Sequence, residues 1–348
     1  MTAETPPQLR LLFWESTRRC NLACSHCRRE PNAPDANELT TDEAKGLFES
    51  AAALGRPLVI FSGGEPLMRD DWAELAGWAR SLDLPAALAT NGTLIDDALA
   101  GRIRAAGFRR AAISIDGADA ETHDRLRGAG AFKRAMGGAA ALRKAGQPIQ
   151  INCTLTAHNF HQLDDLVGLA GGIAAEALHL FLLVPVGCGA DIPAASRLDA
   201  RQYEHVLGWV CDRQGKGGIE LRATCAPHYH RLARQRGIAT GHGRGCLAGV
   251  SVAFVAHDGE VYPCGYLPVS CGNVRDTDLG DIWRRSSVLA LLRDYSNLKG
   301  KCGACEFRSV CGGCRARAYA ETGDYLAAEP NCTYEPARRG GESLPPDS

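Results

Sequence analysis

The sequence has no surplus of charge: 39 lysines and arginines nearly cancel 40 aspartates and glutamates. No overall electrostatic case therefore exists for a nucleic acid or an acidic membrane surface, and any anion site has to be local. No uncharged apolar run approaches the roughly 18 residues needed to cross a bilayer, and Met1–Arg10 lacks the apolar stretch of a secretion signal. A soluble, cytoplasmic protein with no membrane span and no nucleic-acid partner is expected. Internal repeats and low-complexity tracts are also missing. What the chain does have is size and cysteine. Its 348 residues, 45% apolar, suffice for about two domains with a buried core, and it carries 15 cysteines. Without a secretion signal these do not read as a disulfide scaffold; they read as ligands of metals or clusters.

The cysteines divide the chain. Cys20, Cys24 and Cys27 open it, Cys153, Cys188, Cys211 and Cys225 are scattered, and eight crowd the last third. Between the two groups, short β-rich runs at Leu11–Glu15, Leu58–Phe61, Ala86–Ala89, Arg110–Ile115, Ile149–Leu155 and Leu178–Val184 are each followed by an amphipathic stretch of helical length. Thr41 and Asp70 are expected as helix N-caps, the second ahead of a helix over Trp72–Leu82. Six β/α units with parallel strands give an α/β open or partial barrel with its active site at the strands' C-terminal ends. The expected division is a flexible tail over 1–10, a barrel over 11–220, and a cysteine-rich domain over 221–336 that begins with a basic linker, 221–245. A second flexible tail covers 337–348.

Cys20-x3-Cys24-x2-Cys27 follows the first expected strand and sets three thiolates in one loop. A structural zinc takes four protein ligands, whereas a four-iron cluster held by three thiolates keeps one iron open for a small molecule. In the zinc reading His26 would be the fourth ligand; in the cluster reading it packs alongside. After the second strand, Phe61-Ser62-Gly63-Gly64-Glu65-Pro66 pairs two glycines, which let backbone approach a ligand, with a carboxylate that can meet an ammonium. By itself the segment could be an ordinary turn. Together with the cysteine loop one strand earlier it is specific.

On these motifs the stretch Leu11–Val186 resembles the radical S-adenosylmethionine (AdoMet) enzymes. The resemblance implies that the open iron chelates the methionine amino and carboxylate groups and that Gly63, Gly64 and Glu65 contact the amino group. It further implies cofactor contacts from Asn91 in Thr90-Asn91-Gly92, from Ser114 and Asp116 in Ser114-Ile115-Asp116-Gly117, and from Arg127, a carboxylate partner by charge. The cofactor then supplies a 5′-deoxyadenosyl radical that removes an unactivated hydrogen. Cys246-x12-Gly259-x4-Cys264, then Cys302-x2-Cys305-x5-Cys311-x2-Cys314 and Cys332, resembles the SPASM extension with its auxiliary four-iron clusters, although the family usually has three residues where Gly312 and Gly313 stand. The implied outer ligands are Cys302, Cys305, Cys311 and Cys332. The implied inner ones are Cys246, Cys264 and Cys314, with Cys271, Cys225 or nothing as the fourth. A zinc ribbon over Cys302–Cys314 is the competing reading.

From Leu221 to Gly245 the chain has Arg222, Arg231, Arg234, Arg236 and Arg244, three histidines (His228, His230, His242) and no acidic residue. One reading is a solvated basic face; the other is a pocket in which arginine forks hold a polyanionic substrate, with His228 or His230 as a ligand to a metal in it. The strings Ala223–Tyr229, Cys264-Gly-Tyr-Leu267, Cys271–Val274 and Cys311–Tyr319 are similar to the haem-synthase branch of the family over Leu9–Pro336. That resemblance implies an iron-porphyrin substrate, Fe-coproporphyrin III, oxidatively decarboxylated at two propionates to give haem b. It also implies a low-potential electron donor such as a flavodoxin or ferredoxin. Neighbouring branches, which deacetylate didecarboxysirohaem or act in haem d1 synthesis, usually follow the third motif cysteine with an aromatic residue; here Arg28 follows Cys27.

Two other readings compete. A peptide-maturing radical enzyme fits the cysteine extension, but only about ten residues precede the first expected strand, too few for a peptide-recognition domain. A non-catalytic electron-transfer protein would use the same cysteines and leave Gly63–Glu65 and the three-cysteine loop unexplained.

Overall fold

The computed structural model describes residues 7–29, 37–214, 216, 218–240 and 244–337. Its strands are β1 (Leu11–Glu15), β2 (Leu58–Ser62), β3 (Ala86–Thr90), β4 (Ala111–Ser114), β5 (Ile149–Leu155), β6 (Ala177–Leu182), β7 (Glu220–Thr224), β8 (Val252–Val255), β9 (Glu260–Tyr262) and β10 (Gly272–Asn273). All ten form one sheet in the order β10-β9-β8-β1-β2-β3-β4-β5-β6-β7. The β1–β7 neighbours pair parallel, β8 pairs parallel with β1, and β9 pairs antiparallel with both β8 and β10. The helices of the first half are α1 (Thr41–Ala53), α2 (Trp72–Ser81), α3 (Asp97–Ala106), α4 (Ala120–Arg127), α5 (Ala131–Lys144), α6 (Leu163–Gly172) and α7 (Ala200–Arg213). The second half adds α8 (His228–Gln235), α9 (Leu279–Arg285), α10 (Ser287–Arg293), α11 (Gly300–Ala304) and α12 (Arg315–Thr322).

The six expected strands are present and form the partial barrel. The sheet does not stop at residue 220, however. β7 straddles the expected boundary, and β8, from the cysteine-rich part, lies against β1 with Leu11 opposite Val252 and Trp14 opposite Val255. Residues 7–10 are also no tail: Leu9 is fully buried, the Arg10 N–H donates to the Ser251 carbonyl and the Trp283 indole donates to that of Pro7 at 2.8 Å. Residues 1–6 and 338–348, the rest of the expected tails, lie outside the described residues.

One face of β2, β3 and β5 is sealed, every second residue being buried. Trp14 and Phe61 are fully buried, their rings 5.3 Å apart, and Trp14 meets Phe48 of α1 edge-on at 5.2 Å; burying each such ring contributes about 3 kcal/mol. The alternate positions face away from the helices. On β5, Gln150, Asn152 and Thr154 are part-exposed between buried Ile149, Ile151, Cys153 and Leu155, and register carries that face to Ser114, His179 and Arg222. This second face is the wall of the barrel lumen, and the cysteine loop and the motif turns stand at its C-terminal rim.

The helix starts differ from expectation by one residue. Thr40, not Thr41, caps α1, because only Thr40 has Glu43 three residues on to complete a reciprocal capping box. Asp71, not Asp70, precedes α2, which ends at Ser81; its carboxylate accepts from Arg69 and Thr41 instead of capping.

Candidate active site

Gly63 and Gly64 are explained by what presses on them. Gly63 has φ +149°, and a Cβ there would sit 2.5 Å from the Thr17 carbonyl oxygen, while one at Gly64 would sit 2.3 Å from that of Arg19. The loop leading to Cys20 therefore lies directly on the end of β2, where the Gly64 and Glu65 N–H groups donate to the Thr17 and Arg19 carbonyls, both at 2.8 Å. Glu65 is fully buried. One carboxylate oxygen accepts from Thr90 Oγ1 at 2.8 Å and the Leu67 N–H at 3.3 Å, and the other from the Asn91 N–H at 2.8 Å. Burial pushes its carboxyl up to about 7 against the pull of these donors. Glu65 thus ties the ends of β2 and β3 together, and Asn91 carries the tie onward, donating to the Asn21 side chain within the cysteine loop at 2.8 Å.

Asp116, at the end of β4, is also fully buried. Arg127 Nε donates to it at 2.5 Å and the Thr154 N–H at 2.7 Å, and His26 Nε2 stands 3.2 Å away. Burial would raise its carboxyl, but Arg127, His26 and the Thr154 donor hold it below the ordinary value. Arg127 Nη1 reaches within 3.8 Å of Cys24 Sγ, so the pair links the strand end to the cysteine loop. Burial holds His26 down to about 4, a neutral ring at pH 7. Ser114 stands part-exposed on the lumen face.

None of the fifteen cysteines forms a disulfide. Burial pushes Cys24 up to about 11, with Cys27 and Cys20 adding to the effect; iron binding would release that proton. In the C-terminal part the thiols sort into two groups by which of them act on one another. Burial, then Cys314, Cys264 and Cys246, raise Cys225. Burial, then Cys302 and Cys332, raise Cys311, and the same two act on Cys305. Cys271 stands apart, among Ser286, Arg293 and Glu260. No three such side chains close on a single point among the described residues; around a four-iron cluster each thiolate takes a different iron, so its ligands stay spread. The thiols of the first loop and of these two groups have the chemistry to hold iron-sulfur clusters.

Arg317 and Glu329, which sequence reasoning missed, hold this arrangement. Both are fully buried and 3.2 Å apart. Arg317, on α12, donates to the carbonyls of Leu182 and Cys225, at 3.2 and 2.9 Å, beside the ends of β6 and β7, and Glu329 accepts from the Cys314 N–H at 2.7 Å. Cys225 has φ +56°, a strained value for a residue with a side chain. The available signal was Arg317 three residues after Cys314 in a stretch otherwise read only for its cysteines. Glu15 was missed too: an acid ending an apolar strand, 4% exposed. Burial would raise it, yet Arg28, His257 and Arg29 bring it down to about 2.

The basic stretch does not form a pocket of free arginines. Acids from elsewhere meet it: Arg222 pairs with Glu220 at 2.6 Å, Arg231 with Glu204 at 2.6 Å and Arg236 with Asp212 at 2.7 Å. Arg244 lies over the Tyr295 ring at 4.5 Å, and Arg234 is exposed on α8. α7 supplies two of the three carboxylates, which a local window of sequence cannot reveal. His228 is 1% exposed, against Tyr203 of α7, and burial holds it down to about 4. His230 is half-buried on the same helix. His242 lies outside the described residues.

Residues 14–170 match the family described as the radical SAM superfamily, and residues 246–306 match SPASM, an iron-sulfur cluster-binding domain. The chain is 46% identical to the AdoMet-dependent heme synthase of Methanosarcina barkeri, over 95% of this chain and 98% of that protein. It is 45% identical to the AdoMet-dependent heme synthase of Nitratidesulfovibrio vulgaris over 95% and 94%. Among solved structures, Streptococcus suis SuiB bound to S-adenosylmethionine has a TM-score of 0.76, at 19% identity over 94% of this chain and 78% of that one; that likeness concerns the fold.

Proposed function

The chain belongs to the radical SAM superfamily, and from that premise we propose that this enzyme makes haem b by oxidative decarboxylation of two propionates of Fe-coproporphyrin III to vinyl groups. The observation that carries the reading is the identity near one half with heme synthases over essentially the whole of both chains, cysteine-rich part included. Each vinyl group formed takes from a propionate one hydrogen atom, one electron and one carbon dioxide. When bound, AdoMet and the open cluster supply the radical that removes the hydrogen, and a cluster on the inner C-terminal thiols supplies an acceptor for the electron.

The chain's own residues do the holding. Cys20, Cys24 and Cys27 carry the first cluster; Cys225, Cys246, Cys264 and Cys314 the inner auxiliary one; Cys302, Cys305, Cys311 and Cys332 the outer. Gly63 and Gly64 seat the cysteine loop on β2 and offer backbone to the methionine group, with Asn91 and Ser114 at the rim for the rest of AdoMet. Asp116 and Arg127 set that rim. Glu65 acts by bracing it, both oxygens being engaged. A flavodoxin or ferredoxin in the cytoplasm delivers the electron for AdoMet cleavage.

The test is an anaerobic assay with reductant, AdoMet and Fe-coproporphyrin III, followed by mass spectrometry. The expected product has lost two carbon dioxides, with 5′-deoxyadenosine formed for each. Porphyrin recovered unchanged beside 5′-deoxyadenosine, or altered without carbon dioxide loss, overturns the reading.

A further inference from the structure

Arg28 and Tyr266 lie between the first cysteine loop and the inner C-terminal thiols. Arg28 follows Cys27; its guanidinium sits 3.1 Å from Glu15 and stacks on the Phe254 ring at 4.3 Å. A Cβ at Gly265 would be 3.1 Å from Phe254 and 3.8 Å from Arg28 Cδ, so the chain carrying Tyr266 closes directly on Arg28. Cys27 and Arg28 act on the Tyr266 phenol, as do Cys225 and Cys264. Among the described residues none hydrogen-bonds the Tyr266 hydroxyl.

Among the described residues, Glu15 is the carboxylate that faces both Arg28, at 3.1 Å, and Arg29, at 3.6 Å. Two guanidiniums against that one described carboxylate leave a positive charge in a largely desolvated place, which is costly unless an anion joins it. Arg29 makes the same point: its side chain is 9% exposed, and its Nε and Nη1 are buried without a hydrogen-bond partner.

We infer that Arg28 and Tyr266 form a carboxylate-binding site that holds the propionate of the iron porphyrin between the first cysteine loop and the inner thiols. This rests on the reading of the substrate given above. Two molecules bring a carboxylate to this rim, the porphyrin and AdoMet. The position of Tyr266, in reach of both thiol groups, favours the porphyrin, because its reacting side chain has to meet the radical at one end and give up an electron towards the other.

The test uses the full-length, iron-loaded enzyme and its Arg28→Gln and Tyr266→Phe variants. Fe-coproporphyrin III and its tetramethyl ester are titrated by the Soret band, and AdoMet by equilibrium dialysis. Arg28→Gln should weaken binding of the tetra-acid about tenfold and Tyr266→Phe about threefold, leaving the ester and AdoMet within about twofold. Product per 5′-deoxyadenosine should fall in both. If Arg28→Gln unfolds because Glu15 is left unpaired, Glu15→Gln/Arg28→Gln removes both charges and should show the same selective loss. Unchanged tetra-acid affinity in these variants overturns the site; a loss of AdoMet affinity alone hands the carboxylate to AdoMet and overturns the porphyrin assignment. Wild type that binds acid and ester alike while cleaving AdoMet overturns the substrate reading itself.

Discussion

Single residues at the rim act as ties between strand ends, and Glu65 shows what that requires. It accepts three hydrogen bonds in full burial, and its pKa, near 7, lies above the 4.5 of an exposed glutamate. The folded state therefore binds this proton more tightly than the unfolded state. Its contribution to stability is complete below about pH 4.5 and is lost as pH rises through about 7, by up to about 3 kcal/mol. Wild type should lose melting temperature relative to Glu65→Gln between pH 5 and pH 8, measured by circular dichroism under argon. A difference independent of pH would show that the Glu65 carboxyl is not raised into this range. The place of Gly63-Gly64-Glu65 after the second strand was legible in the sequence, but its local role was not: two of the donors to Glu65 come from Thr90 and Asn91 at the end of β3, and the contacts that demand glycine come from the loop before Cys20.

At the scale of elements, the ends of β6 and β7 and the start of α12 are clasped by Arg317. The clasp holds Cys225 in its left-handed conformation, facing Cys314, Cys264 and Cys246. Spacing alone left Cys225 and Cys271 as equal candidates for the fourth inner ligand, because both flank the motif at no fixed distance. Iron analysis separates them. Cys225→Ala should lower bound iron by about four per chain, whereas Cys271→Ala, whose thiol points to the Val269 carbonyl, should keep the wild-type content. The reverse result would move the cluster. Strand positions were legible because burial alternates with period two, and Ile149–Leu155 is observed as expected. The α1 cap was displaced by one residue because Thr40 and Thr41 can both cap, and only the Glu43 contact decides between them.

In the whole molecule, the cysteine-rich part is not an appendage. β8 continues the barrel sheet past β1, and residues 7–10 are held by Ser251 and Trp283 from the same part. Truncation after residue 240 would leave β1, with its run Leu-Leu-Phe-Trp-Glu, as an open edge. The fragment should aggregate or lack a cooperative melt by size-exclusion chromatography and circular dichroism. A monomeric fragment with a sharp transition would instead establish the barrel as an independent unit ending near the boundary expected from sequence.

The sequence by itself determined the compact three-cysteine loop, the parallel strands and the rank of motifs along their ends, because these are local: three cysteines within eight residues and alternating apolar residues need no distant partner. Only the tertiary structure decided the rest. Acids of α7 pair with Arg231 and Arg236, a strand from the far end completes the sheet, and Cys225 lies near Cys314, Cys264 and Cys246 while Cys271 lies near Ser286, Arg293 and Glu260. The physical reason is common to all three: a charge, a strand edge or a ligand set is satisfied by whatever the fold brings within a few ångströms, and separation along the chain carries no record of that.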